Sequence, residues 1–141
     1  MVVKQAACIL VTRMHEHKEQ VLLVTHKNGN GGAILPGGKV DPGETSWQAA
    51  KRELEEETGL KAYSPSMKRI MEMPVVFEGL YPKADILWWT SFFVVESWSG
   101  DISDSGFNKE GQRVWWGTWE EVFAGPFGQN IRELKARIYG I

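Results

Sequence analysis

Four of the five residues from Glu53 to Glu57 are glutamate, with Leu54 the exception. Positions three and four apart share a face of an α-helix, so Glu53, Glu56 and Glu57 would gather on one stripe. Trp47, Ala50 and Leu54 fall on the adjoining stripe, the one expected to pack against a sheet. Like charges at these spacings repel and weaken a helix. A stripe of this kind is either left to water or used, and its use would be cation binding. Hard divalent ions such as Mg2+ take oxygen ligands, commonly a few carboxylates plus the phosphates of a substrate. Upstream, Gly37 and Gly38 leave the backbone bare, so a carbonyl could approach a metal and an amide a phosphate. Lys39, on the same loop, is placed for a phosphate or for solvent. Arg52 can bridge to Glu56 by its i,i+4 spacing and Glu44 can orient the loop, both in structural roles.

The elements around this stripe are legible from pattern. Gln5 to Arg13 and Gln20 to Thr25 are apolar, β-branched runs joined by a charged turn, which predicts two strands in a hairpin-like connection. A glycine-rich loop from Asn28 to Gly32 follows, then a short apolar run from Ala33 to Leu35, a turn at Pro36 to Gly38 and a break at Asp41 to Gly43. Thr45 to Thr58 is helical in composition, with Thr45 as N-cap, Gln48 three residues on and Gly59 as the C′ glycine. Met67 to Met73 and Ile86 to Ser97 are predicted strands, the second long and central. Arg113 to Trp116 is a short strand, Trp119 to Phe123 starts a helix, and a terminal helix runs from about Asn130 to Tyr139. The expected fold class is α+β, an α/β/α sandwich with a mixed β-sheet and the acidic helix as the functional one. One domain spans residues 1–141.

The acidic run belongs to a longer pattern: Gly38, five residues, Glu44, seven residues, then Arg52, Glu53, Leu54, Glu55, Glu56, Glu57, Thr58, Gly59 and Leu60. This resembles the signature of the Nudix hydrolase family without a departure. Seven such positions, at residue frequencies near one in fifteen, match by accident with a probability on the order of 10⁻⁸ per starting point. The resemblance implies hydrolysis of a nucleoside diphosphate linked to another group, with water attacking phosphorus and Mg2+ (Mn2+ as an alternative) neutralising charge. It also implies that Glu53, Glu56 and Glu57 are catalytic and metal-binding, with Gly37 as a further ligand. Gly38, Glu44, Arg52 and Gly59 complete the structural motif.

Two further segments, Val95 to Gly100 and Lys109 to Gln112, resemble the MutT branch of that family. MutT enzymes remove pyrophosphate from nucleoside triphosphates, notably 8-oxo-dGTP, and a later glutamate contacts the catalytic metal. That role carries to Glu110, as metal ligand and candidate base. His26 and Lys27, ending the second strand, match basic residues near the nucleotide. Leu35 would lie beside the base, and Asn130 either reads a purine edge or caps the last helix. Other diphosphates remain open as substrates: diadenosine polyphosphates, ADP-ribose, nucleotide sugars or diphosphoinositol phosphates. A non-catalytic nucleotide sensor remains open too, although a sensor is expected to lose metal carboxylates.

The bulk composition narrows the classes. The chain has 141 residues and a net charge of −2, so no strong field marks a nucleic-acid or membrane-surface binder. The lone Cys8 excludes an internal disulfide and, lying in an apolar run, reads as inert; His15 and His17 read as solvated. No apolar run is long enough to span a bilayer. The expectation is a cytoplasmic monomer or homodimer acting on a small diphosphate-containing molecule, with no nucleic-acid polymer and no membrane as partner. Seven tryptophans stand out. Trp88 and Trp89 must point to opposite faces of one strand, as must Trp115 and Trp116, so most are core and one can serve as a stacking platform. Tyr81 is a loop aromatic able to close over a ligand.

Overall fold

A computed structural model describes residues 2–26, 32–75 and 86–140. Lys27, most of the Asn28 to Gly32 loop and Tyr81 lie outside the described residues.

Alternating apolar positions on the first strand organise the molecule. In β1 (Val2–Leu10), Ala7 and Ile9 face one side and Ala6, Cys8 and Leu10 the other. β1 pairs in parallel with β8 (Ile86–Val95) and antiparallel with the short edge strand β5 (Gly37–Lys39), while β7 (Met67–Val75) lies antiparallel on the far side of β8. The order β5-β1-β8-β7 makes β8 an inner strand, as its length and hydrophobicity predict. A second sheet is built on β3 (Lys18–Thr25). It pairs with β2 (Thr12–His15), β10 (Val114–Gly117) and β4 (Ala33–Ile34), and β6 (Lys61–Ala62) pairs separately with β9 (Trp98–Ser99).

Two helical layers cover the two faces. Helix α1 (Ser46–Thr58) buries Ala49, Ala50 and Leu54 against Ala7, Ile9, Leu22 and Val24. On the opposite side α2 (Trp119–Phe123) and α3 (Gly128–Tyr139) bury Val122, Ile131 and Leu134 against Leu10, Val21, Leu23 and Phe92. The architecture is α+β, a mixed sheet arrangement between helices. Among the described residues no helix is long and apolar enough to cross a membrane.

The ends of α1 are those read from the sequence. Thr45 accepts from the Gln48 amide and donates its own amide to the Gln48 side chain, and Gly59 sits in the left-handed region at φ 83°. A second capping box, Thr118 with Glu121, starts α2. Three expectations change. The run Gln5 to Arg13 is not one strand: it divides at Val11, whose carbonyl accepts from Leu22, and passes from one sheet to the other. Pro36 to Gly38 is not simply a turn, because Gly37 and Gly38 pair with Cys8 and Ala7 as an edge strand. The last helix begins at Gly128, two residues early, and a β-carbon there would collide with the Phe123 backbone oxygen. That glycine serves close helix approach rather than helix breaking.

Burial sets the expected stability order. Leu54→Ala should lower the unfolding free energy by about 2–5 kcal/mol, since Leu54 is fully buried. Thr45→Ala, which removes only a cap, should cost about 1 kcal/mol. Urea unfolding at neutral pH measures both, and an equal cost would contradict the packing described.

Candidate active site

Helix α1 lies over the Ala7 and Ile9 face of the sheet, yet its carboxylates reach toward the other face. They do so across β5, the edge strand whose first two residues carry no side chain. A β-carbon on Gly38 would come within 2.6 Å of Glu53 Oε1, and one on Gly37 would strike the Ala7 carbonyl and Cys8. Neither glycine has positive φ among those of the chain that do, so their role is close approach.

Glu57 is 2% exposed, and both its oxygens are engaged. The Gly37 amide donates to Oε1 at 2.8 Å, and Gln112 Nε2 donates to Oε2 at 2.9 Å. Gln112 is itself buried and also donates to the Thr25 carbonyl at 2.8 Å. Asn108 ties the same loop to the helix end, donating to the Glu57 carbonyl at 3.0 Å and to Gln112 Oε1 at 2.9 Å.

Arg52 gathers the remaining acids. Its Nε and Nη2 donate to the two oxygens of Glu44 at 2.8 and 2.9 Å, a bidentate pair. Nη1 donates to Glu53 at 3.0 Å and Glu56 at 3.2 Å, and Nη2 also reaches the Lys39 carbonyl at 3.1 Å. The Arg52–Glu56 bridge read from i,i+4 spacing is present, but the pair with Glu44 is shorter and more buried. The Arg52 hydrogen bonds, followed by the Asp41 amide, outweigh burial and hold the Glu44 carboxyl down at about 2. The same contact with Glu44 pushes Arg52 further up from its already high value.

These carboxylates stand at one side of a cavity of about 360 Å³. Its floor is the sheet face bearing Ala6, Cys8, Trp88, Thr90 and Phe92, and Leu35, Phe127 and Ile131 form the far wall. Burial, then the charges of Glu57 and Glu53, push the Cys8 thiol up to about 12, so Cys8 offers a neutral sulfur rather than a nucleophile. Of the tryptophan pair, Trp88 faces the cavity at 4% exposure while Trp89 is 39% exposed on the other face.

The structure brings Gly37, Gly38, Lys39, Glu53, Glu56, Glu57, His26 and Leu35 to this cavity. It does not bring Asn130, which lies inside α3 and donates to Met73 Sδ at 3.0 Å; Phe127, not Asn130, occupies the N-cap position. Glu110 is exposed outside the cavity lining, its amide bonded to Asn108 Oδ1, on the loop that Gln112 and Asn108 fasten to Glu57. Gln112 is the participant that sequence reading missed, although it stands in the Lys109 to Gln112 segment. Among the described residues no three His, Cys, Asp or Glu side chains converge as a ready cation cage. The donors are all oxygen, and Gly38 leaves room beside Glu53. That arrangement fits an ion which takes one or two carboxylates and completes its shell with water and phosphate.

The Glu44 contact has a pH signature. Its folded value of about 2 lies below the ordinary 4.5, so its stabilisation is present above pH 4.5 and is lost as pH falls toward 2. Glu44→Gln should cost about 1–3 kcal/mol at pH 7. It should also flatten the fall in melting temperature between pH 4.5 and 2. An acid melting profile identical to that of the unaltered protein would refute the assignment.

Comparison with known proteins agrees with this geometry. The NUDIX domain family profile matches residues 3–138. An 8-oxo-dGTP diphosphatase of Haemophilus influenzae is 40% identical over 104 residues, covering 74% of this chain and 68% of that protein. The 8-oxo-dGTP diphosphatase of Escherichia coli is 37% identical over 82 residues, covering 58% and 54%. A crystal structure of a MutT protein from Bacillus halodurans superposes with a TM-score of 0.67 at 25% identity, over 93% of this chain and 78% of that one. With a profile that runs nearly from end to end, and a glutamate helix set against a glycine edge strand, the chain belongs to the Nudix hydrolase family.

Proposed function

We propose that this Nudix hydrolase is a Mg2+-dependent, MutT-like pyrophosphohydrolase that converts a nucleoside triphosphate, 8-oxo-dGTP or another (d)NTP, to the monophosphate and pyrophosphate. The observation that carries this reading is the window at Gly37 and Gly38. Through it the α1 carboxylates share one cavity with a floor of aromatic and small side chains, which would let a base lie on the floor with its phosphates toward the carboxylates. Resemblance to the Haemophilus and Escherichia 8-oxo-dGTP diphosphatases supports the choice of substrate.

Glu53, Glu56 and Glu57, with the Gly37 carbonyl, would hold Mg2+ (or Mn2+), which when bound neutralises charge on the phosphate oxygens. Trp88 and Phe92 offer faces on which a base stacks, with Leu35 beside it. Lys39 offers its ammonium to a phosphate and His26 a ring at the cavity margin. Water adds to phosphorus, the phosphoanhydride P–O bond breaks, and the proton of the water passes to a carboxylate. Glu110 is the candidate for that base outside the helix. Asn108 and Gln112 fasten its loop to Glu57, so base and ligand are positioned by one set of contacts.

A hydrolysis panel with Mg2+ tests the reading. It should include dNTPs, 8-oxo-dGTP, diadenosine tetraphosphate, ADP-ribose and a diphosphoinositol phosphate. A nucleoside triphosphate should be the best substrate, with pyrophosphate released; preference for any of the last three would overturn the substrate class. Glu53→Gln and Glu57→Gln should each lower turnover on the order of 10²–10³-fold or more while the fold survives by circular dichroism. Full activity in either variant would remove the metal assignment. Glu110→Gln should lower kcat strongly with little change in nucleotide affinity, and an unchanged kcat would return the base to the helix.

A further inference from the structure

Beside the cavity, at the edge of the sheet where β5 passes into the turn before α1, lies a second depression of about 370 Å³. It shares Trp88, Lys39 and Asp41 with the cavity and adds Lys4, Gln5 and the turn from Pro42 to Glu44. Sheet register explains the continuity. Phe92 lies opposite Cys8, Thr90 opposite Ala6 and Trp88 opposite Lys4, so these rows step outward along one face. Lys39 is the β5 partner of Ala6 and points to that face too. Lys4 and Lys39 are therefore diagonal neighbours, with α-carbons roughly 7–8 Å apart.

The charges of this groove are unevenly committed. Its two carboxylates, Asp41 and Glu44, are both held by Arg52, at 3.4 Å and 2.8 Å. Among the described residues no ion pair engages Lys4 or Lys39, and the Lys4 ammonium stands 5.9 Å from the centre of the Trp88 ring. Two lysines on neighbouring strands thus line the outer end of the floor, beyond the α1 carboxylates, with Trp88 shared between groove and cavity. Two such cations on one groove suit an anion with several oxygens, which can accept from both.

We infer that the groove walled by Lys4, Lys39 and Trp88 is a subsite for the terminal phosphates of the substrate, and that Lys4 makes the enzyme prefer triphosphates to diphosphates. This rests on the proposed function, since it takes the base to lie in the inner chamber and the reacting phosphorus to lie beside α1. Pyrophosphate, once released, would occupy the same groove before leaving. Lys4 is exposed at the start of β1 and its one ring contact is with Trp88, so Lys4→Gln should leave the fold intact, as circular dichroism would check.

The test compares Lys4→Gln, Lys4→Arg and, as a distant exposed control, Lys68→Gln. For Lys4→Gln, KM for a nucleoside triphosphate should rise about three- to tenfold with kcat little changed, while KM for the matching diphosphate stays constant. The inhibition constant of pyrophosphate should rise by a similar factor and that of the monophosphate should not. Lys4→Arg should restore both, and Lys68→Gln should change neither. An equal effect on tri- and diphosphate, or none, would overturn the subsite. So would an effect confined to a dinucleoside polyphosphate, which would mean that a second nucleoside rather than phosphate fills the groove. If the unaltered protein hydrolyses no nucleotide, the functional reading fails by itself. Calorimetric binding of inorganic tripolyphosphate then decides the groove: weaker binding by Lys4→Gln supports it, and equal binding overturns it.

Discussion

Three carboxylates within a turn and a half of helix repel one another, and Arg52 is what allows this chain to keep them together. Like charges at these spacings weaken the helix that carries them unless a counter-charge stands among them. Arg52 meets that cost from a single planar group. It bonds both oxygens of Glu44, one each of Glu53 and Glu56, and the Lys39 carbonyl. A lysine would supply a comparable charge but not the fork that spans these acceptors. The contact also does more than neutralise. Through Lys39 and Glu44 it clasps the helix to the edge strand and to the turn that follows it, so the placement of the carboxylates relative to β5 depends on this guanidinium.

That placement matters because helix and cavity lie on opposite faces of the sheet. Ala7 and Ile9 pack under α1, whereas Ala6 and Cys8 open on the cavity. A carboxylate from the helix can contribute to the cavity only around the sheet edge, and β5 is that edge. It is three residues long and bare at its first two positions. The Gly37 amide turns toward Glu57 at 2.8 Å, so the strand donates to the helix as well as letting it through. Glycine here answers a steric demand rather than a dihedral one. The Gly–Gly pair of the motif is thus as much a part of the site as the glutamates.

Local spacing made part of this readable before any coordinates. The stripe of Glu53, Glu56 and Glu57, the Thr45 and Gln48 box and the Gly59 stop all depend on residues within one helix, and the structure reproduces each. The inner strand β8 was likewise legible from its length and its mostly apolar run, which only Thr90 and Ser91 interrupt. Contacts between distant segments were not. Gln112 meets Glu57 across 55 residues, and no local rule connects an amide in a glycine loop with a carboxylate on a helix. The division at Val11 depends on which strands receive the two halves of one apolar run. Alternation established that Trp88 and Trp89 face opposite ways, but only the pairing of β8 with β1 and β7 decides that Trp88 faces the cavity. Asn130 shows the opposite limit: residue type alone suited it to a purine edge or a helix cap, and the structure places it inside α3 with its amide on Met73 Sδ.

The overall charge of −2 conceals how the site is polarised. Between Gly38 and Leu60, Lys39, Lys51 and Arg52 stand against Asp41, Glu44, Glu53, Glu55, Glu56 and Glu57, a local excess of −3, which leaves the rest of the chain at +1. A polyphosphate arriving alone would meet repulsion at the carboxylates, which only a cation can reverse. The family's general use of divalent metal therefore has an electrostatic basis in this chain: a cation held by the carboxylates would turn that repulsion into attraction. The lysines at the outer end of the floor point the same way. Lys39 and Lys4 add positive charge beyond the α1 carboxylates, beside Trp88 and next to Asp41 and Glu44, whose charges Arg52 already meets. The site is thus an acidic centre with a basic margin, and an extended anion bound through a cation can lie across that boundary with both of its parts compensated.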